Sequence, residues 1–296
     1  MTIMGWRNGY IAVDWGTTNR RAFAVDGDGG VTDSIEEARG ILAVAEGGFD
    51  AEVAEIRRRV GDRPMLLAGM VGSNRGWREA PYAPCPAGPK ELAEGILWIE
   101  PGRVGIVPGV SQSGPAGADV MRGEEVQLLG AVGAGLVPPD VLVCHPGTHA
   151  KWVALAAGRI VAFRTMMTGE IFALLKAHSI LSDELREEAR ADASFREGAA
   201  AALGGEELLA GLFRIRARHL LGESDGGGAS YASGLLIGGD VRAGLGLHRE
   251  GRIALIGAPE LCALYAVALA EAGHETVTVD GAVAFLAGVK LLTEML

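Results

Sequence analysis

A short glycine-centred segment near the start of the chain constrains the fold most strongly. Ile11-Ala12-Val13 has the character of a buried strand, Asp14 follows it, and the backbone must turn at Gly16-Thr17-Thr18-Asn19, which we call the first tip. Turn amides and threonine hydroxyls can donate to phosphate oxygens, and a carboxylate at a strand end can hold Mg²⁺ through water. An ordinary hairpin turn accounts for the same residues. The segment alone leaves both interpretations open, because short motifs recur by chance.

The same pattern occurs again in the middle of the chain. There an apolar strand leads to Pro146-Gly147-Thr148-His149, the second tip, and then to a return strand. Aligning Gly147-Thr148 with Gly16-Thr17 also aligns Gly158 of the next turn with Gly27. A register shared over three strands predicts two similar half-molecules that face each other across a cleft. Two such tips would then hold one nucleotide from both sides.

Composition and charge exclude several classes of protein. The 296 residues suffice for two domains that each bury a core, and 49% hydrophobic residues argue against a disordered chain. The longest uncharged stretch, residues 126–139, is too short to span a membrane, and the sequence starts without a secretory signal. A net charge of −10 argues against binding to nucleic acid or membrane surfaces. Three widely spaced cysteines fit a reduced, cytoplasmic protein.

Periodicity along the rest of the chain predicts an α/β fold with mixed sheets. Helices are expected at Phe49–Val60, around residues 120–134, and at residues 171–180, 195–203, 206–221, 259–271 and 282–295. Further strands are expected at residues 64–68, 104–107, 233–240 and 252–256, with a Gly238-Gly239 turn closing the third of these. We expect one domain of residues 1–118 plus 281–296, and a second of residues 119–280.

Some nucleotide-binding motifs are absent from the sequence and others are present, and together they indicate a superfamily. No Walker-type loop and no GxGxxG pattern occurs. The doubled meander, together with Gly238-Gly239 and Ile256-Gly257, resembles the actin-like ATPase superfamily of sugar kinases and chaperones. That resemblance implies two similar actin-like (ribonuclease H-like) domains with mixed sheets flanking an interdomain cleft. It also implies that the Gly-Thr tips hold the phosphates and that a late Gly-Gly turn packs on adenosine.

Five longer motifs are similar to those of the 2-dehydro-3-deoxygalactonokinase family over nearly the whole chain. They are Gly69-Met70-Val71-Gly72-Ser73, Gly76-Trp77-Arg78-Glu79-Ala80-Pro81-Tyr82, Asp119-Val120-Met121-Arg122-Gly123-Glu124-Glu125, Pro146-Gly147-Thr148-His149-Ala150-Lys151-Trp152 and Ser233-Gly234-Leu235-Leu236-Ile237-Gly238. The chain departs from the family at Ala150 and Val126, where serine and threonine are expected. The resemblance implies an ATP- and Mg²⁺-dependent kinase that phosphorylates 2-dehydro-3-deoxy-D-galactonate at the C6 hydroxyl in galactonate breakdown.

Phosphoryl transfer to a hydroxyl requires a carboxylate that accepts the hydroxyl proton. Asp119 is the first candidate, because it is expected just before a helix, as the catalytic aspartate is in related glucose kinases. A helix N-cap is the alternative for this residue. Glu124 is the rival base, with Glu125 beside it; adjacent helix positions diverge, so only one of the two can easily face a cleft. A solvated glutamate pair is the plainer interpretation.

A keto-deoxy sugar acid presents a carboxylate, a keto group and hydroxyls, so its pocket needs arginines, hydrogen-bonding side chains and an aromatic wall. The segment of residues 73–82 supplies all three types. The predicted substrate-binding residues are Asn19, Arg20, Ser73, Asn74, Arg75, Trp77, Arg78, Tyr82 and Arg122. The alternatives are aromatic rings that pin this loop to the core and, for Arg122, a surface ion pair.

The predicted nucleotide-binding residues come from both tips and from the late Gly-Gly turn. They are Asp14, Gly16, Thr17, Thr18, Gly147, Thr148, His149, Lys151, Gly238 and Gly239, with Asp14 as the Mg²⁺ residue. For Lys151, a solvated strand position is the alternative. Two other functions stay open: a kinase of another sugar or sugar acid, and a nucleotide-gated sugar-sensing or chaperone-like protein. The sequence also leaves open the oligomeric state, a homodimer included, and galacto against gluco specificity.

Overall fold

The computed structural model describes residues 6–114, 117–223, 226–247 and 251–296. In chain order the strands are β1 Gly9–Trp15, β2 Arg20–Asp26, β3 Val31–Glu37, β4 Met65–Gly69, β5 Tyr82–Pro84, β6 Leu97–Glu100, β7 Val104–Ile106, β8 Gly109–Gln112, β9 Asp119–Met121, β10 Val141–His145, β11 Ala150–Ala156, β12 Arg159–Met166, β13 Ile253–Gly257 and β14 Thr276–Asp280. The helices are α1 Phe49–Val60, α2 Pro89–Glu94, α3 Glu124–Gly133, α4 Thr168–His178, α5 Ala193–Leu203, α6 Leu208–Leu220, α7 Gly228–Gly244, α8 Pro259–Glu271 and α9 Gly281–Thr293. None of these helices combines the length and the apolar character needed to cross a membrane.

Two of the sheets share one arrangement of five strands. One sheet has the order β3-β2-β1-β4-β7 with β6 added at its edge, and the other has the order β12-β11-β10-β13-β14. In each, the strands that flank a tip are antiparallel, and the first strand of that hairpin has a parallel neighbour on its other side. The structure therefore confirms the predicted α/β fold with mixed sheets and a repeated meander. A third sheet, β5-β8-β9, was not predicted.

The described residues divide into two compact units. The first runs to Pro139 and also contains Ala156–Val161 and Ala282–Leu296; the second contains Asp140–Leu155 and Ala162–Gly281. The domain boundary expected at residues 118/119 differs from this division, because α3 lies in the first unit. A Cβ atom at Gly130 of α3 would lie 2.1 Å from the carbonyl oxygen of Ala284 in α9, so the two helices pack backbone to backbone.

The core of the first unit lies between its six-stranded sheet and α1. Ile11, Val13 and Trp15 of β1 are fully buried and belong to the same apolar cluster as Phe49 and Ile56 of α1. Helix α1 begins and ends at the predicted residues, since its apolar side chains recur at helical spacing and its remaining face is polar. Burial of these side chains stabilises the sheet edge from which the first tip projects.

The prediction of a strand at residues 233–240 is wrong, because these residues lie inside α7. An apolar run without polar alternation does not distinguish a buried strand from a buried helix. Helix α7 packs tightly on α5 through small residues: a Cβ atom at Gly234 would lie 2.1 Å from the carbonyl oxygen of Phe195, and one at Gly238 would lie 2.6 Å from that of Ala199. Gly238-Gly239 is therefore not a turn, and an adenosine contact through such a turn loses its basis.

Candidate functional site

The first tip is exposed between β1 and β2 and presents a run of backbone N–H groups. The Gly16 N–H closes the turn by donating to the Asn19 carbonyl at 2.9 Å. The N–H groups of Thr17, Thr18 and Asn19 have no acceptor among the residues that the structure describes. These three side chains are also exposed. Consecutive amides of this kind form an anion-binding concavity, so the geometry fits a phosphate group.

A glycine on the segment after β3 packs against the first tip. The N–H groups of Gly40 and Ile41 donate to the carbonyls of Thr18 and Gly16, at 2.8 and 3.0 Å. A Cβ atom at Gly40 would lie 2.3 Å from the Thr17 carbonyl, so only glycine allows this approach. This segment therefore donates to the carbonyls of Gly16, Thr17 and Thr18, whereas the amides of Thr17, Thr18 and Asn19 find no acceptor in the described ranges.

Arg20 follows the first tip directly, but it is only 1% exposed. Its guanidinium donates to Glu52 at 2.8 Å and to Glu37, and it lies 4.7 Å from the centroid of the Trp15 ring. The predicted substrate contact of Arg20 is thus contradicted, because its buried guanidinium is paired with the carboxylates of Glu52 and Glu37. It supports the strand that leaves the tip.

The residues around Asp14 were tested for their fit to Mg²⁺. Asp14 is half-buried, and one of its carboxylate oxygens accepts a hydrogen bond from Arg21 at 2.6 Å. Within the described ranges no group of three or more His, Cys, Asp or Glu side chains could hold a metal ion. Mg²⁺ commonly keeps several waters and binds through one or two carboxylates plus substrate phosphates. The residues fit that mode, with Asp14 as the carboxylate, and do not fit an all-protein cage.

The second tip repeats these features on β10 and β11. The N–H groups of Gly147, Thr148 and His149 have no acceptor in the described part of the chain. The Glu170 N–H of α4 donates to the Thr148 carbonyl at 3.0 Å, and the Glu170 carboxylate pairs with His149. A Cβ atom at Gly169 would lie 2.6 Å from the Gly147 carbonyl oxygen. A glycine thus packs behind the second tip, as Gly40 does behind the first.

Two further groups lie at the base of the second tip. Lys151 is 5% exposed, and its ammonium donates to the His149 carbonyl at 3.1 Å, so it is not a solvated strand residue. Strand β13 ends at Gly257, where a Cβ atom would lie 3.5 Å from the Pro146 carbonyl. Ile256-Gly257, and not Gly238-Gly239, is therefore the late glycine motif that neighbours this tip. Helix α8 begins two residues later, so its N-terminus lies near this tip.

The first unit contains a cavity of about 550 Å³ lined by residues of two segments, 41–50 and 75–78. Three predicted substrate residues, Arg75, Trp77 and Arg78, line it. The segment of residues 41–50 was missed by sequence reasoning, since it carries no motif. Its link to the first tip is direct, because Ile41 both lines the cavity and donates to the Gly16 carbonyl.

Side chains of the loop after β4 divide into those that hold the loop and those left exposed. Ser73 is buried and donates to the Met70 carbonyl at 2.7 Å, so its hydroxyl shapes the loop. Trp77 is 6% exposed and stacks on Phe49 with ring centroids 6.5 Å apart, as the core-packing alternative predicted. Asn74 and Arg75 are exposed, and the Arg75 guanidinium has no acceptor among the described residues.

Arg122 fixes the far end of this loop. Its Nη2 donates to the Ala80 carbonyl at 2.7 Å, and its guanidinium lies 4.2 Å from the centroid of the Tyr82 ring. Because Arg122 is 9% exposed, a surface ion pair is the wrong description. Arg78 donates to the Trp77 carbonyl at 2.9 Å and is exposed.

The candidate bases occupy three different environments. Asp119 begins β9 opposite Gln112, and the N-cap of α3 is Gly123, so the N-cap alternative for Asp119 is wrong. Glu124 is the first residue of α3. A Cβ atom at Gly123 would lie 3.1 Å from the Gly69 Cα atom, and Gly69 pairs with Trp15 at the end of β1. Glu124 therefore lies at the strand edge where the first tip starts.

Glu125 is fully buried and is not a solvated glutamate. Its Oε2 accepts the Gly123 N–H at 2.7 Å, and its Oε1 has no partner in the part of the chain described. Burial, followed by the charge of Glu124, raises the pKa of Glu125 to about 8. Of the two neighbouring glutamates, only Glu124 is accessible, as the helical geometry predicted.

Comparisons with known proteins identify the family of this chain. A family model described as 2-keto-3-deoxy-galactonokinase matches residues 14–292. The chain is 36% identical over 285 residues to the 2-dehydro-3-deoxygalactonokinase of Escherichia coli K12, covering 95% of this chain and 96% of that protein. The crystal structure of a candidate 2-dehydro-3-deoxygalactonokinase from Sinorhizobium meliloti has a TM-score of 0.90 at 34% identity, covering 97% and 98% of the two chains.

A more distant structure shows the fold alone. The activator of the 2-hydroxyisocaproyl-CoA dehydratase from Clostridium difficile, with bound ADPNP, has a TM-score of 0.51 at 11% identity. The match covers 97% of this chain and 95% of the activator.

Proposed function

Because the chain belongs to the 2-keto-3-deoxy-galactonokinase family, we propose that it transfers the γ-phosphoryl group of ATP to the C6 hydroxyl of 2-dehydro-3-deoxy-D-galactonate. The prefixes keto and dehydro name the same carbonyl group. The observation that carries the proposal is the pair of tips, each with a glycine packed behind it and three consecutive amides that find no acceptor among the residues described. Backbone donors fixed in this way bind phosphate oxygens without reorganisation during transfer.

The cavity beside the first tip is the proposed site of the sugar acid. Its volume of about 550 Å³ accommodates a six-carbon acid, and Ile41 connects its wall to the tip. Arg75 is the proposed partner of the substrate carboxylate, since its exposed guanidinium has no protein acceptor in the described ranges. Trp77 supplies an apolar wall whose position is fixed by its stacking on Phe49.

Glu124 is the proposed base, and its position supports that role better than the position of Asp119 does. Glu124 begins a helix at the edge of the sheet next to the first tip, whereas Asp119 lies five residues earlier in a short strand. In the proposed reaction its carboxylate accepts the C6 hydroxyl proton as the oxygen attacks the γ-phosphorus, while the bond from that phosphorus to the bridging oxygen breaks and ADP leaves. Mg²⁺, held through water by Asp14 and the phosphates, would neutralise charge on the phosphoryl group.

An assay of ADP release coupled to product identification tests the function. Purified protein, ATP and Mg²⁺ are incubated with 2-dehydro-3-deoxy-D-galactonate, with its gluco epimer and with neutral hexoses. The expected product is the 6-phosphate of the sugar acid. Preference for a neutral hexose would overturn the proposed substrate assignment. ATP hydrolysis that no sugar accelerates would instead indicate a nucleotide-gated binding protein.

The base is tested by two matched carboxamide variants. Glu124→Gln should lower kcat by about 10²–10⁴ while the affinity for ATP stays near that of the wild type. Asp119→Asn should keep kcat within about tenfold, since transfer then loses only a neighbouring charge. The reverse pattern would assign the base to Asp119.

A further inference from the structure

A buried carboxylate in the second unit accepts three hydrogen bonds from three different elements. Asp240 lies on α7 and is 5% exposed. One of its oxygens accepts from the indole N–H of Trp152 on β11. The other accepts from the Thr168 hydroxyl of α4 and from the Tyr265 hydroxyl of α8, both at 2.5 Å. A buried network in which each donor has a partner is rigid, and breaking it is costly.

Two of the three donors lie on elements that adjoin the second tip. Trp152 lies on the strand that leaves the tip. Thr168 is the first residue of α4, and the next residues of that helix contact the tip: Gly169 packs on the Gly147 carbonyl, and the Glu170 N–H donates to Thr148. The first turn of α4 is thus held on one side by Asp240 and on the other by the tip.

The third hydrogen bond comes from a residue six positions after the start of α8, the end of that helix that lies near the tip. Tyr265 lies in the middle of α8, and its hydroxyl joins α8 to α7. Thr168 and Tyr265 donate to the same carboxylate oxygen and are also in hydrogen-bonding contact with each other, and removing either hydroxyl leaves the other two donors to Asp240. The structure therefore contains a matched pair of hydroxyls, of which only that of Thr168 is followed directly in the chain by residues that contact the tip.

We propose that Asp240 is a positioning residue for phosphate binding, acting through Thr168 and the first turn of α4 to fix the backbone amides of the second tip. The inference rests on the proposed role of the tips in binding ATP. Its physical basis is that donors aimed at a phosphate lose effectiveness when they shift by a fraction of an ångström. No contact between Asp240 and the nucleotide is required.

The test compares Thr168→Val with Tyr265→Phe in the full chain. Each variant deletes one hydroxyl and keeps the shape of the side chain, so both should lower Tm by similar small amounts. Only Thr168→Val should weaken the binding of ATP. We expect the Kd measured by calorimetry and the KM for ATP to rise by about tenfold. The KM for the sugar acid should be unchanged in both. Thr168→Ser, which keeps the hydroxyl, should restore the wild-type Kd.

The outcomes separate this inference from the proposed function. If Thr168→Val binds ATP as tightly as the wild type, Asp240 has only a structural role and the inference is overturned. The same conclusion follows if Tyr265→Phe weakens the binding of ATP as much as Thr168→Val does. A wild-type protein that binds ATP but phosphorylates no sugar acid would overturn the proposed function while the calorimetric comparison still decides the role of Asp240. A wild-type protein that binds no ATP would overturn both.

Discussion

The first and second tips have similar backbone arrangements, but different kinds of side-chain interaction stabilise the residues beside them. Next to the first tip, Arg20 is buried between the carboxylates of Glu37 and Glu52, and Arg39 pairs with Glu52 as well. Beside the second tip, the carboxylate of Asp240 accepts from three uncharged donors. The common element is the glycine packed behind each tip. A tip therefore needs a close backbone neighbour, and either ion pairs or neutral donors can stabilise the surrounding strands.

The two networks should respond to pH in opposite directions. The hydrogen bond from Arg39 lowers the pKa of Glu52, so its contribution is present above the ordinary pKa of a glutamate and is lost as the pH falls through the lowered value. Burial raises the pKa of Asp240, although its three hydrogen bonds oppose that rise. The contribution of Asp240 is therefore fully present below the ordinary pKa of an aspartate and is lost as the pH rises through the raised value.

The largest expected effect comes from removing the cation of the first network. Arg20→Met leaves the buried Glu52 with only one cation and should destabilise the protein by about 3–5 kcal/mol, measured by urea unfolding. Arg21→Met is the matched control, because Arg21 is the next residue, is half-buried and pairs only with Asp14 among the described residues. Its expected cost is about 1 kcal/mol or less. Equal losses in the two variants would show that burial of the ion pair is unimportant.

A smaller effect comes from Glu125, which tests whether burial or membership of a unit decides the sign of the pH dependence. Glu125 lies in the first unit but is buried like Asp240, and its pKa is raised from 4.5 to about 8. Its contribution is present below the unfolded pKa and is lost as the pH rises towards the folded pKa. Glu125→Gln should therefore become progressively more stable than the wild type as the pH rises from ~5 to ~9.

Urea midpoints measured across this pH range check the prediction for Glu125. The glutamine side chain keeps an oxygen that can accept the Gly123 N–H, so the start of α3 should be retained. Stability curves of wild type and variant that run parallel with pH would contradict the raised pKa.

Local patterns predicted the parts of the fold that have a solvent-facing side. Helix α1 was predicted to the residue, because its apolar positions alternate with charged ones. Helix α7 was mistaken for a strand, because it is buried nearly all round and its sequence has no such contrast. Strand β14 was missed, although its polar residues Thr276, Thr278 and Asp280 alternate with two valines.

The same limit applies to the candidate site. The tips were predicted because a strand, a glycine and threonines are adjacent in the sequence. The network of Asp240 was not, because Trp152 and Asp240 are 88 residues apart and meet only in the folded chain. Gly40 and Gly169 follow the two tips at similar distances, so aligning the halves further along the sequence could have identified them. Burial of Arg20 depends on Glu52, which local sequence does not place beside it.

The smallest effect is also the most direct comparison of the two tips, because each network includes a tryptophan. The Trp15 indole N–H donates to the carbonyl of Arg39, and that of Trp152 donates to Asp240. In ¹⁵N spectra both indole signals should move with pH well before the protein unfolds, by tenths of a ppm at most. As the pH falls, the Trp152 signal should move first, since Asp240 has a raised pKa, and the Trp15 signal later, since Glu52 has a lowered one. Assignment by Trp15→Phe and Trp152→Phe fixes which signal is which. If both signals move together, the two tips share one titrating group and the distinction between ion pairs and neutral donors has no consequence in solution.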